Sequence, residues 1–374
     1  MEYLYFKHGL TIPGKLLLMT GLLFFSAIPL SQAQGCIAIR STGTTFVMSQ
    51  EHASLDTTTS WIFNANNRYF KSFRHFIGDI EQKQRQTMGT EVINHQYTLD
   101  LSITHILKNP RWSVFADLPI LSNSRSSLYE HHNVGRFKTY SFGIGDIRVA
   151  AYGWLINPRH FPLGNVQVGL GIKLPTGNDD YQDYFHLTDT SLILGPVDQS
   201  IQLGDGGTGI TAEINAYYTF SHVLSAYGNF FYLLNPMDVN GVSTTRGGMP
   251  SPASVANTSS VMSVPDQYMV RGGVNLSFND LLISLGLKDE CLPVHDLIGG
   301  SDGFRRPGYI ISVEPGITYN IRKTTLYAFL PVAIVRNRTQ SVPDIITTKM
   351  TGVYTHGDAA FADYVINVGY SYTF

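Results

Sequence analysis

From Ala362 to Phe374 every second side chain is apolar or aromatic: Ala362, Tyr364, Ile366, Val368, Tyr370, Tyr372 and Phe374 share one face. Asp363, Asn367, Gly369, Ser371 and Thr373 share the other with Val365. A period of two over that length predicts a β-strand with one side in oil and the other in water. Residues Glu91 to Leu107 obey the same rule, setting Asn94, Gln96, Thr98, Asp100, Ser102 and Thr104 against Tyr97, Leu99, Leu101 and Ile103. Lys108-Asn109-Pro110 then turns the chain, and Trp112, Val114, Ala116 and Leu118 resume the apolar face. Repeated from Trp61 onward, this grammar gives twelve strands; the mixed pattern of Trp61 to Phe73 leaves the count open by about two.

The links between strands alternate in length. Short turns fall near 109, 160, 221, 279 and 322, whereas polar links cover roughly 76–90, 122–138, 176–205, 236–264, 292–306 and 337–357. Outer-membrane barrels carry short periplasmic turns and longer external loops. The expected fold is therefore all-β: a single transmembrane antiparallel β-barrel of about 12 strands over residues 61–374, with both ends on the periplasmic side. Trp61 and Trp112 fall at periplasmic strand ends, where they read either as an interfacial girdle or as ordinary core residues.

Ahead of the barrel, Lys7, His8 and Lys15 precede an apolar run from Leu16 to Leu30, and Ser31-Gln32-Ala33 supplies small residues for cleavage after Ala33. Residues 1–33 read as a signal peptide. Residues 34–60, polar and carrying Cys36, read as a periplasmic lead or a small plug.

Composition narrows the class further. Only 14% of residues are charged, 43% are hydrophobic and 35 are glycine, yet no apolar run beyond the signal reaches the length of a membrane helix. An exported chain of this kind is expected in the outer membrane of a Gram-negative bacterium, since closing a barrel satisfies every backbone group inside the hydrocarbon. Its expected partners are outer-membrane lipid, a small-molecule solute, and the barrel-insertion machinery through the C-terminal strand ending at Phe374. A formal net charge of −2 offers no footprint for nucleic acid.

By strand phase, Asp100, Asp117, Asp146, Arg148, Lys173, Glu213, Arg271, Lys288, Glu290, Glu314 and Asp363 point into the lumen. Asp146, Arg148, Lys173, Glu213, Arg271 and Glu314 are the expected constriction. Such a belt either selects solutes by field and size or pairs internally and fills the lumen. The inward aromatics Phe115, Tyr152, Trp154, Tyr227, Phe231, Tyr327 and Phe329 carry the same ambiguity between a path for a planar solute and packing.

Several local patterns lack the context their chemistry needs. Gly204-Asp205-Gly206-Gly207-Thr208-Gly209 matches a dinucleotide fingerprint but follows a loop and precedes a strand. Gly299-Gly300-Ser301-Asp302-Gly303 matches a nucleophile elbow without an α/β sheet. Glu130, His131 and His132 have no third ligand at a useful spacing for a metal. No cofactor is expected. Cys36 and Cys291 belong to opposite ends of the barrel, so separate thiols are favoured over a disulfide, which would require the N-terminal segment to thread the lumen. A lipid on Cys36 is a third reading, weakened by Ala33.

Certain phrases carry a resemblance. Gly143-Ile144-Gly145-Asp146, Lys173-Leu174-Pro175-Thr176-Gly177, the run Gln202 to Gly209, and Gly308-Tyr309 with Glu314-Pro315-Gly316 resemble the outer-membrane barrel family labelled as meta-pathway phenol-degradation proteins. The C-terminal half, with Phe304-Arg305-Arg306-Pro307, also resembles uncharacterised barrels from the Bacteroidota. The resemblance implies a channel or transporter, with small hydrophobic or aromatic compounds as cargo. The expected function is passive passage of small solutes, not enzymatic. The alternatives are a closed, charge-paired barrel that is structural or binds a surface, and a membrane lipid hydrolase using a serine beside His95 or His105.

Overall fold

Period-two alternation puts one polar and one apolar face on each strand, and a sheet of such strands hides both problems at once by closing on itself. The computed structural model describes residues 60–158, 160–161 and 163–374. The expected signal peptide at residues 1–33, most of the 34–60 segment and Cys36 lie outside the described residues. Twelve antiparallel strands follow in order: β1 (Ser60–Ile77), β2 (Ile93–Ile106), β3 (Trp112–Ser127), β4 (Phe137–Ile144 continued by Arg148–Trp154), β5 (Gly164–Lys173), β6 (Gly209–Thr219), β7 (Leu224–Leu234), β8 (Gln267–Phe278), β9 (Leu281–Leu292), β10 (Gly308–Ile321), β11 (Thr324–Phe329 continued by Val332–Arg338) and β12 (Ala359–Thr373). Each strand pairs with the next, and β12 returns to β1 from Ile62↔Thr373 to Phe76↔Ala359, which closes the barrel.

Turn chemistry fits the short ends. β8 and β9 are joined by Asn279 and Asp280 alone, and Asn279 takes a φ of 54°, a left-handed conformation that Asn tolerates well. The long links cover 78–92, 128–136, 174–208, 235–266, 293–307 and 339–358. One boundary departs from expectation: the second long link was expected to begin at 122, but the ladder runs on from Ile120↔Ile144 to Ser127↔Phe137. Here Ser122, Ser124 and Ser126 replace the apolar row, so the alternation fades where the strands outgrow the hydrocarbon although their hydrogen bonds continue.

Trp61 and Trp112 are 45% and 48% exposed, so they belong to the outer girdle rather than to a core. Tyr218, Tyr319, Tyr370 and Tyr372 are exposed at the same periplasmic end, and Tyr97, Tyr140 and Tyr364 nearer the external end. Between them lie exposed rows such as Val168, Leu170 and Ile172 on β5 and Ile283, Leu285 and Leu287 on β9. An apolar band bordered by aromatics is the surface of a transmembrane barrel.

Inside, glycines face large rings. Tyr152 pairs with Gly169, Tyr327 with Gly369, Phe329 with Gly316 and Tyr227 with Gly273. A Cβ added at any of these glycines would collide with the facing side chain. The inward aromatics therefore lie down on neighbouring strands, and Tyr227, Tyr327 and Phe329 pack as one buried cluster.

Candidate functional site

Four of the six expected constriction residues meet in two pairs at mid-barrel. Arg148 on β4 binds Glu213 on β6, which also accepts from Tyr152 Oη at 2.8 Å. The Arg148 guanidinium lies 4.7 Å from the Phe115 ring centre and 5.6 Å from that of Phe231. Arg271 on β8 lies 3.9 Å from Glu314 on β10. Lys288 and Arg68 both reach Glu290, at 3.0 and 3.6 Å, and Asp100 feels the charges of both Arg68 and Arg148. Asp117 stands opposite Arg148 in the β3–β4 ladder. Arg68, the one member not anticipated from the sequence, comes from the mixed-pattern first strand. Four cations thus stand among five carboxylates in a wall where an unpartnered charge is expensive, which accounts for the close pairing.

The other two behave differently. Asp146 lies in the break between the two halves of β4, where it accepts from the backbone N–H of Gly177 at 3.0 Å and of Asp205 at 3.3 Å. Lys173 binds Asp205 and lies 3.6 Å from Asp146. Together they tie down both ends of the 174–208 link instead of joining the belt. Asp363 also departs from its expected place, because register breaks beside Phe70 and Ser72 shift the strand phase. It pairs with Arg74 and Arg336, at 2.8 and 2.7 Å.

The 174–208 link was expected to lie outside, yet residues 197–204 fold inward. Val197 and Ile201 are fully buried, with Asp198, Ser200, Gln202 and Leu203 nearly so. The segment is held by donors from distant strands: Gln96 Nε2 to the Ser200 carbonyl at 3.0 Å, Asn123 Nδ2 and Ser141 Oγ to the Ile201 carbonyl. Gln199 Nε2 donates to the Ser263 carbonyl at 2.9 Å on the far side. The available sequence signal was the apolar spacing of Val197, Ile201 and Leu203 within a polar link.

Asp198 is the hub of this segment. Arg306 binds it through both guanidinium nitrogens, at 2.9 and 2.5 Å, while Arg125 lies at 3.3 Å and Arg246 at 3.9 Å. Glu130 shares Arg125 and Arg246, at 2.9 and 2.8 Å. Burial pushes the Asp198 carboxyl up, but Arg125, Arg306 and Arg246 outweigh it and hold it well below the ordinary carboxylate range. A depressed folded-state value contributes stability that is complete above the unfolded value and is lost as pH falls through the folded one. Stepping from pH 7 to 5 should therefore leave the segment seated, with release only below about pH 4. Bilayer current recorded through the pH steps checks this; a rise already at pH 5 would contradict it.

Above the segment lies a cavity of about 620 Å3, bordered by Arg85, Arg125, Arg246 and Arg306, by Glu130, Asp198 and Asp358, and by Val197, Met249, Met262 and Phe304. Asp358 receives His75 at 3.0 Å and Arg85 at 2.6 Å.

The remaining local patterns find ordinary places. Glu130 serves the arginines, and His131 accepts from the His186 N–H at 3.1 Å. Among the described residues no three His, Cys, Asp or Glu side chains converge as metal ligands. His105 stacks on Trp61, with ring centres 4.1 Å apart. His95 faces Ser124 across the ladder, but its Nδ1 is engaged by Tyr69 Oη at 2.8 Å.

No family model matches the chain, and no curated protein does. Among solved structures it is similar to an outer membrane channel from Pseudomonas putida F1, with a TM-score of 0.56 and 11% identity over 86% of this chain and 97% of that one. It is also similar to the translocator domain of the autotransporter NalP from Neisseria meningitidis, at a TM-score of 0.42 and 12% identity over 87% and 92% of the two chains. The Pseudomonas putida toluene transporter TodX gives 0.42 and 9% over 92% and 96%. At such identities the first likeness is one of fold alone.

Proposed function

We propose that the protein is an outer-membrane channel for passive passage of small solutes, with hydrophobic or aromatic compounds as the cargo class. The observation that carries this is the seating of residues 197–204: a stopper held mainly by side-chain contacts beneath a cavity, inside a lipid-embedded barrel. Arg148, Glu213, Arg271 and Glu314 then form the constriction below it, while Lys173 and Asp146 fix the stopper's stems. Charges set in a narrow lumen select by field and size. The aromatic cargo class rests on the phrases resembling the phenol-degradation family, together with Phe115, Tyr227 and Phe231 along the lumen.

A second reading, a closed structural or surface-binding barrel, is favoured by one observation: the belt's charges are already paired with one another. Liposome swelling with a panel of sugars, amino acids and aromatic acids decides between them. Uptake that follows size and charge is expected; a folded preparation that admits none of the panel would favour the closed barrel.

A further inference from the structure

The four arginines around the cavity come from four separate parts of the chain: Arg85 from the first external link, Arg125 from the end of β3, Arg246 from the 235–266 link and Arg306 from the 293–307 link. Three carboxylates face them, Glu130, Asp198 and Asp358, so the lining carries a guanidinium in excess. Of the three, Asp198 alone belongs to the inward segment. Arg306 grips it in the two-nitrogen fork that suits any carboxylate, whether attached to the chain or not.

We propose that this vestibule binds a small organic carboxylate and that the bound anion takes the place of Asp198 among Arg125, Arg246 and Arg306, unseating residues 197–204. The inference rests on the channel reading above and names its opening signal. Three features of the site support it. An excess of positive charge draws anions toward the cavity. Exchanging one carboxylate for another keeps the arginines paired, whereas a neutral molecule would leave buried guanidinium groups without a counter-charge. The volume lies within the range of small-molecule sites, and Val197, Met249, Met262 and Phe304 offer an apolar wall to the body of the ligand. Val197 is part of the segment itself, so a ligand body pressing there acts directly on the stopper.

The test compares benzoate with benzamide, a neutral molecule of nearly the same shape, on the full chain in planar bilayers. Benzoate should raise open probability several-fold and benzamide should not. Arg246→Gln should lose most of the benzoate response, and Asp198→Asn should open without ligand and gain little more from it. Equal effects of benzoate and benzamide, or an undiminished response in Arg246→Gln, would overturn the proposal. A variant with residues 197–203 replaced by Gly and Ser in equal number separates the two readings. If it conducts while benzoate acts no better than benzamide, the anion signal is wrong and the channel stands. If it stays silent although calorimetry finds benzoate bound to the wild type and not to Arg246→Gln, the anion site stands and the channel reading fails.

Discussion

Arg148→Met should lower the unfolding free energy of the barrel by about 3–5 kcal/mol, the usual result of removing one partner from a buried ion pair. Glu213 would keep the Tyr152 hydroxyl but lose the cation that binds it among the described residues, in a lumen position where both side chains are almost wholly buried. Phe115 and Phe231 would also lose the guanidinium lying over them, although Met conserves much of the packing. The double replacement Arg148→Met with Glu213→Gln should recover most of the loss, because no charge is then stranded. Urea unfolding in lipid vesicles, followed by tryptophan fluorescence, measures all members of the cycle. A single variant as stable as the wild type would mean that water or another group already serves Glu213, and the pair would cease to explain the order of the belt.

Replacing residues 197–203 with Gly and Ser should raise single-channel conductance several-fold and speed the swelling of vesicles in small sugars. The change removes the Asp198 hub and the buried side chains of Val197, Ile201 and Leu203, and the entropy of a Gly-rich segment opposes its reseating. Barrel stability should fall less than in Arg148→Met, because Glu130 still pairs with Arg125 and Arg246 once Asp198 is gone. Conductance that stays at the wild-type level would transfer the seal to the paired belt beneath.

The barrel itself was legible because lipid and water impose a two-residue period that local sequence must obey. Tyr364, Val368 and Tyr372 announced the outer face of β12, and Asn279-Asp280 announced a tight turn. The same reasoning placed Arg148, Glu213, Arg271 and Glu314 on the inner face. It failed wherever the period breaks. Counting through the interruption at residues 145–147 carried Asp146 into the belt, and the register shifts between β1 and β12 displaced Asp363. The inward course of 197–204 left only the apolar spacing of Val197, Ile201 and Leu203 as a signal, for a different reason. A polar link turns in or out according to partners such as Gln96, Asn123 and Arg306, which are remote in sequence and leave no local trace.

The meeting of β1 and β12 also governs assembly. The Phe374 N–H donates to the Trp61 carbonyl at 2.8 Å, so the two extremities of the cylinder are stitched together at its periplasmic rim. Until the closing strand arrives, β1 presents eighteen residues of raw edge, a template for unwanted partners in water and a store of unsatisfied amides in lipid. Pairing with β12 is what satisfies that edge.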